Sequence, residues 1–367
     1  MQRYLALASA GLLTASIAQA GGMDRSGQVI APLFEKGGET GSYAELSFGY
    51  VSPDVSGTAI GIGSGDMAEG YLQFGAAYKT DLDDHWSIAI LFGQPYGADV
   101  SYPSGTGYPF ADSTAELNSI EITGILRYRF DNGVSLHAGL RAQQLDADVS
   151  IPAIAGYSAS APSDTAFGYL VGAAYERPDI ALRVALTYFS SITHDMTVTE
   201  NSLATGAVVS PYEQEMPEAV NLDLQTGISK NTLLFGGVRW VNWGDFTIAP
   251  PVYSDILVGR PLAYYNGDYT TYVIGVGHKF TDEWSASVAL NYEAQAGGYQ
   301  SNLAPHDGVF GVTLGAKYTR DQFSISGGVN VSWIGDAETV VNRSPFLTSS
   351  FDDNMAVGVG FRVGYNF

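Results

Sequence analysis

The last eleven residues, Val357 to Phe367, read VGVGFRVGYNF. Val357, Val359, Phe361, Val363, Tyr365 and Phe367 take every second place, with Gly358, Gly360, Arg362, Gly364 and Asn366 between them. Successive strand side chains point to opposite faces, so this stretch has one aromatic, apolar face and one small or polar face. The alternation repeats upstream. Trp284, Ala286, Val288, Leu290 and Tyr292 oppose Ser285, Ser287, Ala289, Asn291 and Glu293. Phe323, Ile325, Val329, Val331 and Trp333 oppose Ser324, Ser326, Asn330 and Ser332, and Ile120, Ile122, Leu126, Tyr128 and Phe130 oppose Glu121, Thr123, Arg127 and Arg129. Helical spacing is nearly absent after about residue 42, so the chain is read as all-β.

Alternation fits two architectures. In a soluble sandwich the apolar face is the core; in a membrane barrel it meets lipid and the interior is polar. Three features favour the barrel. The polar face is crowded with Gly, Ser, Asn and charges. Aromatics gather at strand ends beside short turns, as an interfacial girdle does: Tyr78 and Trp86, Tyr128 and Phe130, Tyr175, Phe280 and Trp284, Tyr318 and Phe323. Short turns and long loops also take strict turns. The pattern predicts a transmembrane antiparallel β-barrel of fourteen strands, near 43–52, 69–80, 85–95, 114–130, 134–149, 165–177, 180–200, 213–229, 231–249, 268–281, 284–294, 306–320, 322–341 and 352–367. Short connections carry turn chemistry, such as Asp131-Asn132-Gly133 and Arg177-Pro178-Asp179. Long loops are expected near 53–68, 96–113, 150–164, 201–212, 250–267, 295–305 and 342–351. An even strand count with short periplasmic turns puts both termini in the periplasm.

The composition agrees. Lys and Arg number 17 against 38 Asp and Glu, a net charge of −21, which argues against nucleic-acid binding. Cysteine is absent from the 367 residues, which excludes disulfides, zinc–thiolate sites and thiol catalysis. Residues 1–20, MQRYLALASAGLLTASIAQA, read as a cleaved signal peptide: Arg3, an apolar run from Leu5 to Ile17, then Ala18-Gln19-Ala20 as the cleavage site. No later stretch approaches the roughly 18 uninterrupted apolar residues of a membrane helix. An exported chain of this kind crosses a membrane only as a barrel. The organisation expected is a signal peptide at 1–20, an N-terminal periplasmic or hatch segment at 21–42, and the barrel at 43–367.

With its signal sequence, fourteen strands and terminal Phe367, the chain resembles Gram-negative outer-membrane proteins. Phe361, Val363, Tyr365 and Phe367 resemble the assembly signal read by the barrel-assembly machinery. More specifically, it resembles the FadL-type long-chain fatty acid transporters (OMPP1/FadL/TodX-like). Phe48-Gly49-Tyr50-Val51-Ser52-Pro53-Asp54-Val55-Ser56-Gly57-Thr58 is similar to the family's first strand and loop. Met216-Pro217-Glu218 and Arg239-Trp240-Val241-Asn242-Trp243-Gly244-Asp245-Phe246 are similar to two later strands, and Phe280-Thr281-Asp282-Glu283-Trp284 to a periplasmic turn.

The resemblance implies a monomeric barrel in outer-membrane lipid and lipopolysaccharide, an N-terminal hatch, and a kink in the third strand that opens a lateral gate. Residues 21–42, GGMDRSGQVIAPLFEKGGETGS, do not alternate; Asp24, Arg25, Pro32, Leu33 and Phe34 are the hatch candidates. The family's Asn-Pro-Ala element is absent, with Ile30-Ala31-Pro32-Leu33-Phe34 in its place. The third strand breaks at Phe92-Gly93-Gln94-Pro95-Tyr96-Gly97. Pro lacks an N–H and Gly weakens a strand, so a ladder break is expected there. Gly93, Gln94, Pro95 and Gly97 are therefore gate candidates; the alternative is that Pro95 merely ends a strand.

With the aromatic face outward, the inward charges include Arg127, Arg129, Arg141, Arg183 and Arg239, and inward apolar positions include Leu91, Leu170 and Phe189. Two readings stand: an ion-paired network that holds the barrel shut, or a cation that takes a carboxylate through two parallel bonds. An apolar stripe with scattered cations suits hydrophobic or amphipathic cargo, and the resemblance implies long-chain fatty acids. Aromatic loop residues, among them Tyr102, Tyr108, Phe110, Tyr157, Tyr212, Tyr253, Tyr264, Tyr265, Tyr299 and Phe346, either form an outer collecting groove or pack the loops together. No histidine shows triad or metal spacing, so no enzyme, cofactor or metal is expected. The rival reading is a porin-like or structural barrel without specific lipid transport.

Overall fold

The computed structural model describes residues 22–341 and 347–367. The predicted signal peptide at 1–20 and the loop residue Phe346 lie outside them. Among the described residues the wall has fourteen strand positions. They are β1 (Ser42–Asp54), β2 (Tyr71–Asp81), β3 (Trp86–Gly93 and Gly97–Ser101), β4 (Thr114–Arg129), β5 (Val134–Ile151), β6 (Tyr157–Arg177) and β7 (Leu182–Phe189 and Ile192–Ser202). β8 (Gly206–Met216 and Ala219–Ser229), β9 (Thr232–Val241), β10 (Tyr269–Lys279), β11 (Trp284–Glu293), β12 (Val309–Arg320), β13 (Phe323–Ile334) and β14 (Met355–Asn366) complete it. Each pairs antiparallel with the next, and the barrel closes where β1 meets β14, from Tyr43↔Asn366 to Asp54↔Met355.

The period of two is realised without interruption along β4, whose side chains from Thr114 to Tyr128 alternate outward and inward. Ser119, Glu121, Thr123, Ile125 and Arg127 face in; Ile120, Ile122 and Leu126 face out. The outward belt stays apolar and exposed, for example Leu46, Phe74, Leu140, Phe167, Ile274 and Leu314, which is the surface a barrel shows to lipid. At the short-turn end the predicted girdle forms: Trp86 against Tyr128 at 4.8 Å, Trp284 against Tyr318 at 4.9 Å, Phe323 against Tyr365 at 4.6 Å. Phe361 stacks on Phe48 across the seam at 5.1 Å, and Val363 lies opposite Leu46 of β1. Tyr365 meets Phe367 at 4.7 Å, and the Phe367 N–H donates to the Ser42 carbonyl. The turn Asp131-Asn132-Gly133 works because Gly133 sits at φ +85°, where a Cβ would collide with the Glu176 carbonyl.

Several loop expectations change. The segments 150–164 and 201–212 are not long loops: β5–β6 and β7–β8 run on and turn within 152–156 and 203–205. Strands expected to reach 249 and 341 stop at Val241 and Ile334. The remaining long loops fold over the mouth. Thr58–Ala59, Ile62–Gly63, Tyr299–Gln300, Ala337–Val340 and Thr348–Phe351 join in a small sheet. Tyr102, Tyr108, Phe110, Tyr157 and Tyr253 are buried in the core beneath it, with Tyr102 stacked on Tyr108 at 5.5 Å. These aromatics therefore pack loops together; Tyr299 stays exposed at 41%.

Candidate functional site

The third strand is interrupted where Gly93, Gln94 and Pro95 stand. From Gly93 to Gly97 it takes four steps while β4 takes three, Glu121 to Asn118, so one residue is extra and the strand bulges. Below the bulge β3 pairs with β2, from Asp81↔Ser87 to Ala76↔Phe92. Above it, Gly97–Ser101 pairs with β4 alone. Among the described residues, the chain just ahead of β2 meets β3 again at the bridge Ala68↔Val100, with the Glu69 N–H on the Asp99 carbonyl at 3.1 Å and the Ser101 N–H on the Met67 carbonyl at 2.9 Å. Tyr71–Gly75 of β2 consequently keeps its ladder to β1 and has none toward β3. A window is left in the wall.

Few groups stand in it. The Gln94 side-chain oxygen accepts from the Phe74 N–H at 2.9 Å, replacing one rung of ladder. Pro95 has no N–H to lose. Tyr96 turns inward: its N–H donates to the Ser119 hydroxyl at 2.8 Å, and its ring packs edge-on against Trp243 at 5.8 Å. A Cβ on Gly93 would meet nothing within 4 Å.

Behind the window lies the N-terminal segment. Asp24 bridges to Tyr96, the Arg25 N–H donates to the Pro95 carbonyl at 2.7 Å, and the Gly97 N–H donates to the Met23 carbonyl at 2.8 Å. On the opposite wall Arg239 donates to the Asp24 carboxylate at 2.7 Å, to Asn221 at 2.8 Å and to Gln28 at 3.2 Å. The chain then turns through Gly27, at φ +62°, and enters a short 3-10 helix, Ala31–Phe34, with Pro32 in its first turn. Leu33 is fully buried. The Phe34 ring lies between two guanidiniums, Arg127 at 4.6 Å and Arg183 at 4.9 Å, each contact worth about 0.5–2 kcal/mol. All five hatch candidates thus lie inside the barrel.

A cavity of about 140 Å³ joins these parts. Its lining includes the lumen residues Glu121, Phe189 and Arg362, the segment Gln28–Ile30, the broken strand Leu91–Pro95, and Phe48 and Phe74 of the outer face. It traverses the wall at the gap. Toward the loops, Met23, Arg25, Tyr71, Asp99 and Leu303–His306 line a second cavity of about 80 Å³. A third, of about 90 Å³, lies between Arg25–Gly27 and the opposite wall at Asp223, Gly237, Arg239 and Val273. Arg25 borders the second and third of these spaces and Ser26 the first and third.

The predicted lumen cations divide. Arg141 grips the Glu121 carboxylate at 3.1 and 2.8 Å and also donates to the Ser190 carbonyl at 2.8 Å. Arg127 pairs with Glu176 and donates to the Ser135 hydroxyl, and Arg239 is held by Asp24. Arg129 sits at the short-turn rim on the Asp84 carbonyl, away from the lumen. Arg183 alone of the five has no side-chain hydrogen bond or ion pair among the described residues; its guanidinium lies over the Phe34 ring and acts electrostatically on the Asp223 carboxyl. Leu170 and Phe189 are buried in one core with Leu33 and Phe34, and Phe189 and Leu91 both line the window cavity. Sequence reading missed Gln73, Tyr71 and Asp99, which complete the window; nothing local marks them.

A family model described as outer membrane protein transport protein (OMPP1/FadL/TodX) matches residues 63–367. No curated protein sequence matches the chain. Among solved structures, a Pseudomonas aeruginosa FadL homologue is similar with TM-score 0.75 at 15% identity, over 96% of this chain and 97% of that one. The P. putida toluene transporter TodX is similar with TM-score 0.62 at 15% identity, over 89% and 90%. The Ralstonia pickettii toluene transporter TbuX gives 0.64 at 12%, over 92% and 91%.

Proposed function

This chain belongs to the OMPP1/FadL/TodX family of outer membrane transport proteins, and from that premise we propose that it is a channel for hydrophobic small molecules that leave sideways through the gap in β3. The observation that carries this reading is the cavity through the wall at Gly93–Pro95, set against an axis filled by residues 22–34. Cargo enters from the loop end, passes the partition at residues 25–26, and reaches lipid between Phe48, Phe74 and Phe92. Diffusion down a gradient suffices. The orientation puts both termini in the periplasm of a Gram-negative cell. The barrel works as a monomer, with lipopolysaccharide around its loop end, and residues 21–42 act as the hatch.

Within that cargo class we propose long-chain fatty acids, with Arg183 as the carboxylate's partner. Arg127, Arg141 and Arg239 already hold acids, and taking one of them would leave a buried charge unpaired. Arg183 is in no such ion pair, and the Asp223 carboxyl it acts on is also served by Arg239. The test is saturable uptake of a long-chain fatty acid and of a neutral aromatic hydrocarbon into vesicles that carry the purified protein. Arg183→Gln should weaken fatty acid uptake and spare the hydrocarbon. Equal fatty acid uptake by wild type and variant would remove Arg183 as the carboxylate's partner, and saturable uptake of the hydrocarbon without the fatty acid would move the cargo to neutral hydrocarbons. Conductance for small hydrophilic solutes with no saturable uptake of either would overturn the transporter reading in favour of a porin-like barrel.

A further inference from the structure

The window has two rims, and a single residue of the inner segment touches both. On the β2 rim, the Gln73 side-chain amide donates to the Arg25 carbonyl, and the Arg25 guanidinium lies 3.9 Å from the Tyr71 ring centroid. On the β3 rim, the Arg25 N–H donates to the Pro95 carbonyl, and the same guanidinium pairs with Asp99. Gly97 must lack a side chain here, because a Cβ would collide with that guanidinium. Between Ala68↔Val100 and Ala76↔Phe92 the rims share no ladder. Among the described residues, the Gln94–Phe74 bond and the Phe74–Phe92 ring contact at 5.8 Å join the lower end and the Glu69–Asp99 bond the upper end, and Arg25 is the residue of the inner segment that spans the rims between them.

We propose that Arg25 is the positioning residue of the lateral opening, a crosspiece whose ion pair with Asp99 and stacking on Tyr71 hold the two rims at their closed spacing. The inference rests on the lateral-exit reading for its purpose, but its geometry stands apart from the cargo. Barrel closure does not need this residue, since β1–β14 and the lower β2–β3 ladder hold the wall by themselves. Arg25 also borders the loop-side and central cavities, so a molecule that displaces it to pass also releases the rims. Arg suits the role better than Lys because one flat guanidinium can stack and pair at once.

The test uses the absence of native cysteine. Spin labels at Leu72→Cys and Ala98→Cys, one on each rim, report the spacing by pulsed electron paramagnetic resonance on the full folded protein, without cargo. Arg25→Gln should shift the distance distribution to longer and broader values, as should Asp99→Asn, which leaves the inner segment intact. The exchanged pair Arg25→Asp with Asp99→Arg should restore the closed distribution, which a merely structural contact would not do. An unchanged distribution in both single variants, or no restoration by the exchange, overturns the crosspiece. Widened rims with unaltered uptake keep the crosspiece and overturn lateral exit instead.

Discussion

The wall is interrupted in two regions, and only one of them is a hole. β7 breaks at Ser190–Ser191 and β8 at Pro217–Glu218, but they break in step: Phe189 pairs with Ala219 and, three residues on in each strand, Ile192 pairs with Met216. On the β6 side, side chains fill the seam. The Ser190 hydroxyl accepts from the Tyr169 N–H at 2.9 Å, Asp164 meets His194 at 3.0 Å, and Arg141 caps the Ser190 carbonyl. At Gly168 a Cβ would stand 2.7 Å from Ile192. In β3 the neighbour does not follow. β2 runs past the bulge unbroken and in count with β3, eight residues on each from Ala76↔Phe92 to Ala68↔Val100, so the extra residue is set against β4, no ladder crosses to β2, and at Gly93 a Cβ would touch nothing. A strand break opens a wall only when the adjacent strand fails to jog with it.

The largest effect is expected on the sealed side. Arg141→Ala leaves the Glu121 carboxylate buried and the Ser190 carbonyl uncapped, at a cost of about 3–5 kcal/mol. Chemical unfolding in detergent should show it, and a near-neutral result would mean the seam does not depend on that pair. Next is acidification above the window. His306 is buried against Tyr265 and Tyr269 in the loop that roofs the loop-side cavity, and burial pushes its pKa down to about 4. The unfolded loop therefore takes up this proton first. Stability is full above about pH 6.5 and drains by roughly 3 kcal/mol as pH falls toward 4. Loop release followed by tryptophan fluorescence should lie in that interval and vanish in His306→Phe.

Smaller effects separate the two breaks directly. Gly168→Ala should destabilise by about 1–3 kcal/mol through overpacking. Gly93→Ala should stay within about 0.5 kcal/mol, as substitutions away from packed features do. Equal costs at the two glycines would erase the distinction. Between those two lies Gln94→Ala, which removes one hydrogen bond to the Phe74 N–H, worth about 1 kcal/mol, and should speed uptake rather than slow it.

Much of the barrel was legible because lipid enforces the period. Where both wall faces differ in polarity, as along β4, the sequence alternates with full amplitude. In Tyr157–Asp164 small and polar residues fill both registers, and in Gly206–Tyr212 adjacent Val208 and Val209 followed by Pro211 break the alternation, so both stretches read as loops. The break itself was legible, since Gly93 and Pro95 each weaken a ladder for a local reason. Its partners were not. Gln73 reaches Arg25 across 48 residues of sequence and Asp99 reaches it across 74, so only the closed register brings them together. The inward cations were identifiable by parity, but which of them were already paired was decided by acids on neighbouring strands.

The central claim is that cargo leaves through the gap in β3. The most direct measurement repairs the strand, with Gly93→Val, Gln94→Thr and Pro95→Val together, and follows uptake of hydrophobic cargo in vesicles by the folded, heat-modifiable protein. The account predicts that uptake falls to the level of protein-free vesicles while the barrel remains intact. Undiminished uptake through a repaired wall would contradict it and place the exit along the barrel axis.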